Sequence, residues 1–207
     1  MKMPDQREKL TIEAYNKTAQ DWADAHADIS FWGEEFEVFN KLLPSGNVLE
    51  IGCGGGRDAE LLINNGYNYL GTDPAEKFIE TAQRRNPTGM FEVKRADEID
   101  YPKDSFDGFW ASAVLLHIPK NKIDGVLTKL KLVTKRGGIG FIAIKEGYGE
   151  LVKEETSSDG NVYQQFWAFY TDEEFRKVLE RNGFSVEEFI YKPMSERTKW
   201  LIYFVKS

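Results

Sequence analysis

Residues 48–58 read VLEIGCGGGRD: an apolar run that closes on an acid, Glu50, and then sets Gly52, Gly54 and Gly56 at alternate positions. Glycine gives up more backbone freedom on folding than any other residue, so this spacing requires a tight turn or a close approach to the main chain. The next stretch, RDAELLINNG, carries Ala59, Leu62 and Ile63 at helical spacing and stops on Asn65-Gly66. Strand, glycine loop and helix form one βα unit, and the amino terminus of its helix favours negative charge. A dinucleotide loop wants a further glycine where Arg57 stands, so the loop alone leaves its ligand open.

Outward from this unit, strand and helix patterns alternate. NYLGTD (68–73) reads as a strand, PAEKFIETAQRR as a helix with Pro74 in its first turn, and MFEVKRAD and SFDGFWAS as two more strands. KNKIDGVLTKLKLV is an amphipathic helix, GIGFIAIK (138–145) a fifth strand and DEEFRKVLERNG a helix with Gly183 past its end. FSVEEFIYK and TKWLIYFVK read as a closing antiparallel pair. The pattern predicts an α/β fold: a Rossmann-like, doubly wound seven-stranded sheet, mostly parallel, with an antiparallel C-terminal strand. Ligands of such sheets bind at the carboxyl ends of the strands. Two segments stand apart within a single domain spanning 1–207. Residues 1–40 form an aromatic, helical N-terminal cap, and the irregular stretch 146–170 is expected to be a lid, a binding loop or disordered.

The 207 residues are 41% hydrophobic and 14% aromatic, enough for one sizeable core, and the net charge of −7 disfavours nucleic acid as a partner. The densest basic stretch, Lys120 to Arg136, reads as a solvated helix face or as a patch for an acidic partner. No secretory signal and no apolar run near the ~20 residues of a membrane span is visible, and the single cysteine fits a reducing compartment, so a cytoplasmic location is expected. With two histidines and one cysteine, no metal-ligand cluster is expected.

Two further acids decide the loop's reading. Asp73 closes the second strand, placed either to accept hydrogen bonds from a ribose diol or to cap the turn before Pro74. Asp97, after Ala96, ends the third strand, where a carboxylate can take an adenine amine or act as an ordinary loop acid. With VLEIGCGGGRD, YLGTDPAEKFIETAQ, RADEIDYPKDSFDGFWASAVLLHIP and LKLVTKRGGIGFIAIKEGYGE in that order, residues 40–207 resemble the small bacterial class I S-adenosylmethionine (SAM)-dependent methyltransferases. AFYTDEEFRKVLERNGF adds the usual C-terminal helix and strand, and Lys135-Arg136-Gly137-Gly138 departs from the common Lys-Pro-Gly-Gly only at a turn.

The resemblance implies a SAM site and S-adenosylhomocysteine as product. Glu50 resembles the acid beneath the loop, and Gly52, Cys53 and Gly54 the backbone skirting the methionyl group. Arg57 and Asp58 match the amino-acid end, Asp73 the ribose ligand with Pro74 and Ala75 beneath adenine, and Ala96, Asp97 and Glu98 the adenine edge. Ala111 stands where relatives offer a carbonyl to the methionyl ammonium.

For the acceptor, His117 is either a structural histidine or a general base, and Tyr15 either covers the cofactor or pins the first helix with Trp22. Lys145 and Glu146 face the same crevice or are solvated at a strand end. Tyr163, Phe166, Trp167, Tyr170, Phe31 and Trp32 line an acceptor pocket or serve packing. Cys53 reads as a small apolar filler, since no base is paired with it, and His26 as a surface residue. The expected function is methyl transfer from SAM to a small-molecule acceptor by a monomer or homodimer. A SAM-binding module without turnover, a methyltransferase for RNA or protein, and a nicotinamide dehydrogenase are the competing readings.

Overall fold

The computed structural model describes residues 5–156, 160, 162–196 and 198–207; the remaining parts of segments 1–40 and 146–170 lie outside the described residues. Five strands run parallel: β1 (Asn47–Ile51), β2 (Asn68–Asp73), β3 (Met90–Val93), β4 (Phe106–Ser112) and β5 (Thr134–Lys145). Between β5 and the carboxyl end, β6 (Glu150–Thr156) and β7 (Val162–Ala168) pair only with each other, and β8 (Ser185–Pro193) and β9 (Lys199–Lys206) complete the main sheet. Its order is β3-β2-β1-β4-β5-β9-β8, with β9 antiparallel to both neighbours. The chain winds outward from β1 to β3 and then returns to β4 on the other side of β1. The carboxyl ends of β1 and β4 are therefore the switch point at which such sheets open a crevice.

Alternation along β1 divides the core. Val48 packs with Trp110, Phe141 and Phe204 against Phe36 and Phe39 of α2 (Gly33–Leu42) and Ala59 and Leu62 of α3 (Arg57–Asn64). Leu49 and Ile51 join the opposite layer with Val126 and Leu127 of α5 (Ile123–Val133) and Phe175 and Val178 of α6 (Asp172–Arg181). Period-two strands covered on both faces explain the near-continuous apolar runs of β1, β4 and β5. Glu50 points to the Trp110 side, directly below the glycine loop, and is buried there.

α1 (Gln6–Ala25) begins with a capping box of Asp5 and Glu8 and lies against α4 (Glu76–Arg85) and β7. The 146–170 stretch corrects the expectation of an irregular insertion, since β6 and β7 form an antiparallel hairpin in register from Glu150↔Ala168 to Thr156↔Val162. Its signal was the Asp159-Gly160 pair between two strand-length runs, the kind of dipeptide that marks a hairpin turn. The basic stretch is no open patch: Lys120 meets Glu174, Lys122 meets Glu8, Lys135 meets Asp107, and Lys129 and Lys131 donate to the carbonyls of Ile99 and Gly183. No helix among the described residues is long and apolar enough to cross a membrane.

Candidate functional site

The glycine loop leaves β1 and is fastened at once to β2. Gly52 and Cys53 both donate their N–H to the carbonyl of Thr72, at 2.7 and 3.0 Å. The Asp73 carboxylate then accepts Gly54 N at 3.1 Å through Oδ2 and Ala75 N at 2.8 Å through Oδ1. One acid thus ties the loop to the start of the next helix. Burial raises its pKa to about 6, against the pull of those two N–H groups.

The three alternating glycines turn out to have separate reasons. A Cβ on Gly52 would stand 2.5 Å from Val114 Cβ, and one on Gly56 would stand 2.7 Å from Asn86 Nδ2. A Cβ on Gly54 would have one near atom among the described residues, on Trp22 at 3.5 Å, and would otherwise point into the cavity. Two glycines therefore serve packing and one faces a ligand space. Because Gly52 also sits at φ +69°, Gly52→Ala should lower stability by about 2–4 kcal/mol. Urea unfolding will show this as a lower midpoint with an unchanged slope.

Beneath the loop Glu50 accepts the Tyr69 hydroxyl, and burial, reinforced by Asp58, pushes its carboxyl well above the usual range. Asp58 accepts Trp110 Nε1 at 3.0 Å and Arg57 Nε at 2.5 Å, and the Arg57 guanidinium lies 5.0 Å over the Phe31 ring. These groups open into one cavity of about 600 Å³, within the range of small-molecule sites. Around the loop it is walled by Asp73, Pro74, Ala75, Phe78, Trp22, Ala96 and Asp97. Arg95 clamps Asp97 at 2.8 and 3.0 Å, overriding burial and holding that carboxyl below its ordinary range.

The other lobe lies below the hairpin and the β8–β9 turn, between Phe31, Trp32, Lys145, Tyr163, Gln165, Trp167 and Trp200. His117 stands between the lobes. Its Nδ1 lies 2.7 Å from the Phe166 carbonyl, which can only accept, so Nδ1 carries the proton and Nε2 accepts the Tyr15 hydroxyl at 2.9 Å. Burial lowers the His117 pKa to about 4, so the ring is neutral at physiological pH. Thr11 of α1 accepts Phe166 N at 2.9 Å, so the helical cap and the hairpin are fixed to one another above the cavity.

The structure brings Glu50, Gly52, Cys53, Gly54, Arg57, Asp58, Asp73, Pro74, Ala96, Asp97, His117, Tyr15, Lys145 and Tyr163 to this cavity. Five of the sequence-predicted positions fall elsewhere, among them Glu146, which turns from the cavity to Tyr191 and Lys199. Ala111 lies inside β4 and is fully buried; the strand exits to the cavity at Ser112 and Ala113, the latter in the left-handed region at φ +54°. Glu98 points off the wall to Arg95, 3.3 Å away. Phe166 and Tyr170 belong to the α5–α6 core: alternation on β7 sends Tyr163, Gln165 and Trp167 to the cavity and Phe166 and Ala168 away from it, and Tyr170, past the end of β7, packs on Phe175. His26 is exposed as expected, yet it stacks on Trp22 at 4.1 Å on the cavity rim. The reading missed Phe78, Arg95, Val114 and Gln165, none of which stands at a strand-end acid or glycine; Gln165 was recoverable from period two once β7 was identified as a strand.

Among known proteins, a family model described as a methyltransferase domain matches residues 48–138. The human mitochondrial ubiquinone biosynthesis O-methyltransferase is 28% identical over 171 residues, 74% of this chain and 46% of that protein. The corresponding enzyme of Pelagibacter ubique is 27% identical over 65% of this chain and 64% of its own. The chain thus spans about half the length of the human relative. In structure, the Burkholderia thailandensis 1,6-didemethyltoxoflavin-N1-methyltransferase, solved with its acceptor and S-adenosylhomocysteine, aligns at TM-score 0.76 and 18% identity over 100% of this chain and 91% of that one. The magnesium protoporphyrin IX methyltransferase of Synechocystis aligns at TM-score 0.73 and 16% identity over 100% of both chains. At such identities the two structures speak for the fold alone. The chain thus carries a match to a methyltransferase domain over residues 48–138, from β1 into the start of β5, on a fold that it shares with these solved methyltransferases.

Proposed function

We propose that this chain transfers a methyl group from SAM to a small-molecule acceptor by in-line displacement. One observation carries the reading: a single cavity runs from the glycine loop and Asp73 to His117 and Lys145, so donor and acceptor would meet in one space. When bound, SAM supplies an electrophilic methyl on a sulfonium that leaves as a neutral thioether. The residues fit such a group. Gly54 leaves room where a Cβ would stand, and each Asp73 oxygen keeps a lone pair beyond the N–H it already accepts, as a ribose diol needs. Glu50, Cys53, Arg57 and Asp58 would hold the amino-acid end, Ser112–Ala113 would stand in for Ala111 there, and Ala96 and Asp97 would border the adenine.

The chain's own contribution is positioning, exclusion of water and, where an acceptor must lose a proton, a base. Neutral His117, with Nδ1 held on Phe166, keeps Nε2 directed at Tyr15 and the cavity; an acceptor hydroxyl or amine that displaces the Tyr15 hydroxyl would give its proton to Nε2. Residues 1–40 and 146–170 act in this reading as cap and substrate cover. The acidic charge balance favours a metabolite over RNA, and the lone buried Cys53 fits the reducing cytoplasm. Calorimetry with S-adenosylhomocysteine tests the cofactor, and mass spectrometry of a metabolite pool incubated with SAM and protein tests turnover. Absence of binding refutes the reading, and binding without any methylated product would favour a module without turnover.

A further inference from the structure

The acceptor lobe is asymmetric in charge. Three cations on the cavity wall are matched: Arg57 by Asp58 at 2.5 Å, Arg85 by Asp24 at 2.6 Å and Arg95 by Asp97 at 2.8 Å. Lys145, at the end of β5, has no carboxylate within ion-pair distance among the described residues. Its neighbour Glu146 is engaged by Tyr191 at 3.1 Å and Lys199 at 3.8 Å, and the nearby Glu155 is held by Lys153 at 2.5 Å. The Lys145 ammonium instead lies 4.2 Å over the Trp167 ring and 5.5 Å from that of Trp200. Trp32, whose ring is 5.4 Å from Trp200, and Trp167 each bury an indole N–H with no hydrogen-bond partner among the described residues. This corner of the cavity thus carries an unmatched ammonium among flat aromatic walls. Burial, with Lys153 nearby, disfavours the charged ammonium, a penalty that an anion would relieve.

We infer that the methyl acceptor is a planar molecule carrying an oxyanion, and that Lys145 receives that oxyanion between Trp167 and Trp200. This inference rests on the methyltransferase reading of the cavity. It also agrees with the electrostatics of a site that takes a sulfonium in its other lobe: a second cation there is balanced by an anionic acceptor. The oxyanion could be a carboxylate or an ionised phenol, and the aromatic walls would stack on the ring that bears it.

The test is calorimetry on protein saturated with S-adenosylhomocysteine, whose affinity is measured first in every variant. In one arm 4-hydroxybenzoate is compared with its neutral counterpart 4-hydroxybenzamide; in the other, ionised 4-nitrophenol is compared with 4-nitroanisole. The expected result is a preference of about tenfold or more for the anion in at least one arm, the usual size of a charge-assisted contact. It should disappear in Lys145→Met and persist in Lys145→Arg, with S-adenosylhomocysteine binding unchanged in both. The arm that shows the preference identifies carboxylate or phenolate. Equal affinities in both arms, no binding of either anion, or a preference that survives Lys145→Met overturns the inference while leaving the cofactor reading intact. Failure of wild-type protein to bind S-adenosylhomocysteine would refute the cofactor reading itself.

Discussion

Asp73→Ala should weaken S-adenosylhomocysteine binding by about a hundredfold or more, with the sheet still folded by circular dichroism. The carboxylate is the common acceptor for Gly54 N and Ala75 N, at 3.1 and 2.8 Å, and is buried. Removing it strands two backbone donors, on Gly54 and Ala75 of the cavity wall, and it removes the proposed acceptor of the ribose hydroxyls. Hydrogen bonds to a charged group contribute roughly 1.5–3 kcal/mol each, so losing a pair of them to the ligand accounts for the factor. Asp73→Asn should lose nearly as much, because an amide nitrogen must then face one of the two N–H groups. The pH dependence has a definite sign. Burial holds the folded pKa at about 6, above the ordinary aspartate value of 3.8. Between those values the native state binds a proton that the unfolded chain does not, so this group adds stability at low pH that is lost as pH rises through the window. Ligand binding runs the other way, since the diol needs the carboxylate. Affinity measured by calorimetry should therefore fall as pH is lowered through about 6 and stay level above it; a level profile across that range would show that Asp73 does not meet the ligand.

Much of this site was legible because strand-end residues declare themselves. VLEIGCGGGRD and Asp73 lie at the carboxyl ends of β1 and β2, which parallel winding must gather at one edge; Asp97 does not end β3 as expected but sits on a 3-10 turn, Ala96–Glu98, that follows the strand's end at Val93 on the same edge. The opposite lobe is assembled from α1, a hairpin and the β8–β9 turn, and sequence spacing does not state how these meet. Phe166 and Tyr170 show the difficulty. As aromatics in a presumed loop they look equivalent to Tyr163 and Trp167; strand parity on β7 sends Phe166 to the core, and Tyr170, two residues past that strand, packs there on Phe175. Ala111 leaves the wall for a related reason: it lies within β4 and is buried, and the cavity lining begins at Ser112 and Ala113. The three glycines were correctly singled out, yet only Gly54 owes its identity to the cavity, and clashes with Val114 and Asn86 account for the other two.

His117→Asn should lower methyl transfer by about 10²–10⁴-fold for any acceptor that must be deprotonated, the usual worth of a positioned base. The asparagine amide can still donate to the Phe166 carbonyl as Nδ1 does, so the variant removes the Nε2 lone pair and little else. Its cofactor affinity should match wild type, which separates a base from a residue that merely holds the cap. A structural role predicts the reverse, weakened ligand binding with unchanged turnover once the site is saturated. Stability against pH gives a second readout. Burial lowers the folded His117 pKa to about 4, below the ordinary histidine value of 6.5. In that window the unfolded chain binds the proton and the native state does not, so wild-type stability falls as pH drops from about 6.5 towards 4, by at most about 3 kcal/mol. Asp73 titrates across part of the same range with the opposite sign, but it is present in both proteins and cancels in their difference. Urea unfolding of wild type and His117→Asn at several pH values should therefore show the variant gaining on wild type as pH falls below about 6.5. A difference that stays constant with pH would place His117 in solvent, where its Nε2 would have no special claim on an acceptor proton.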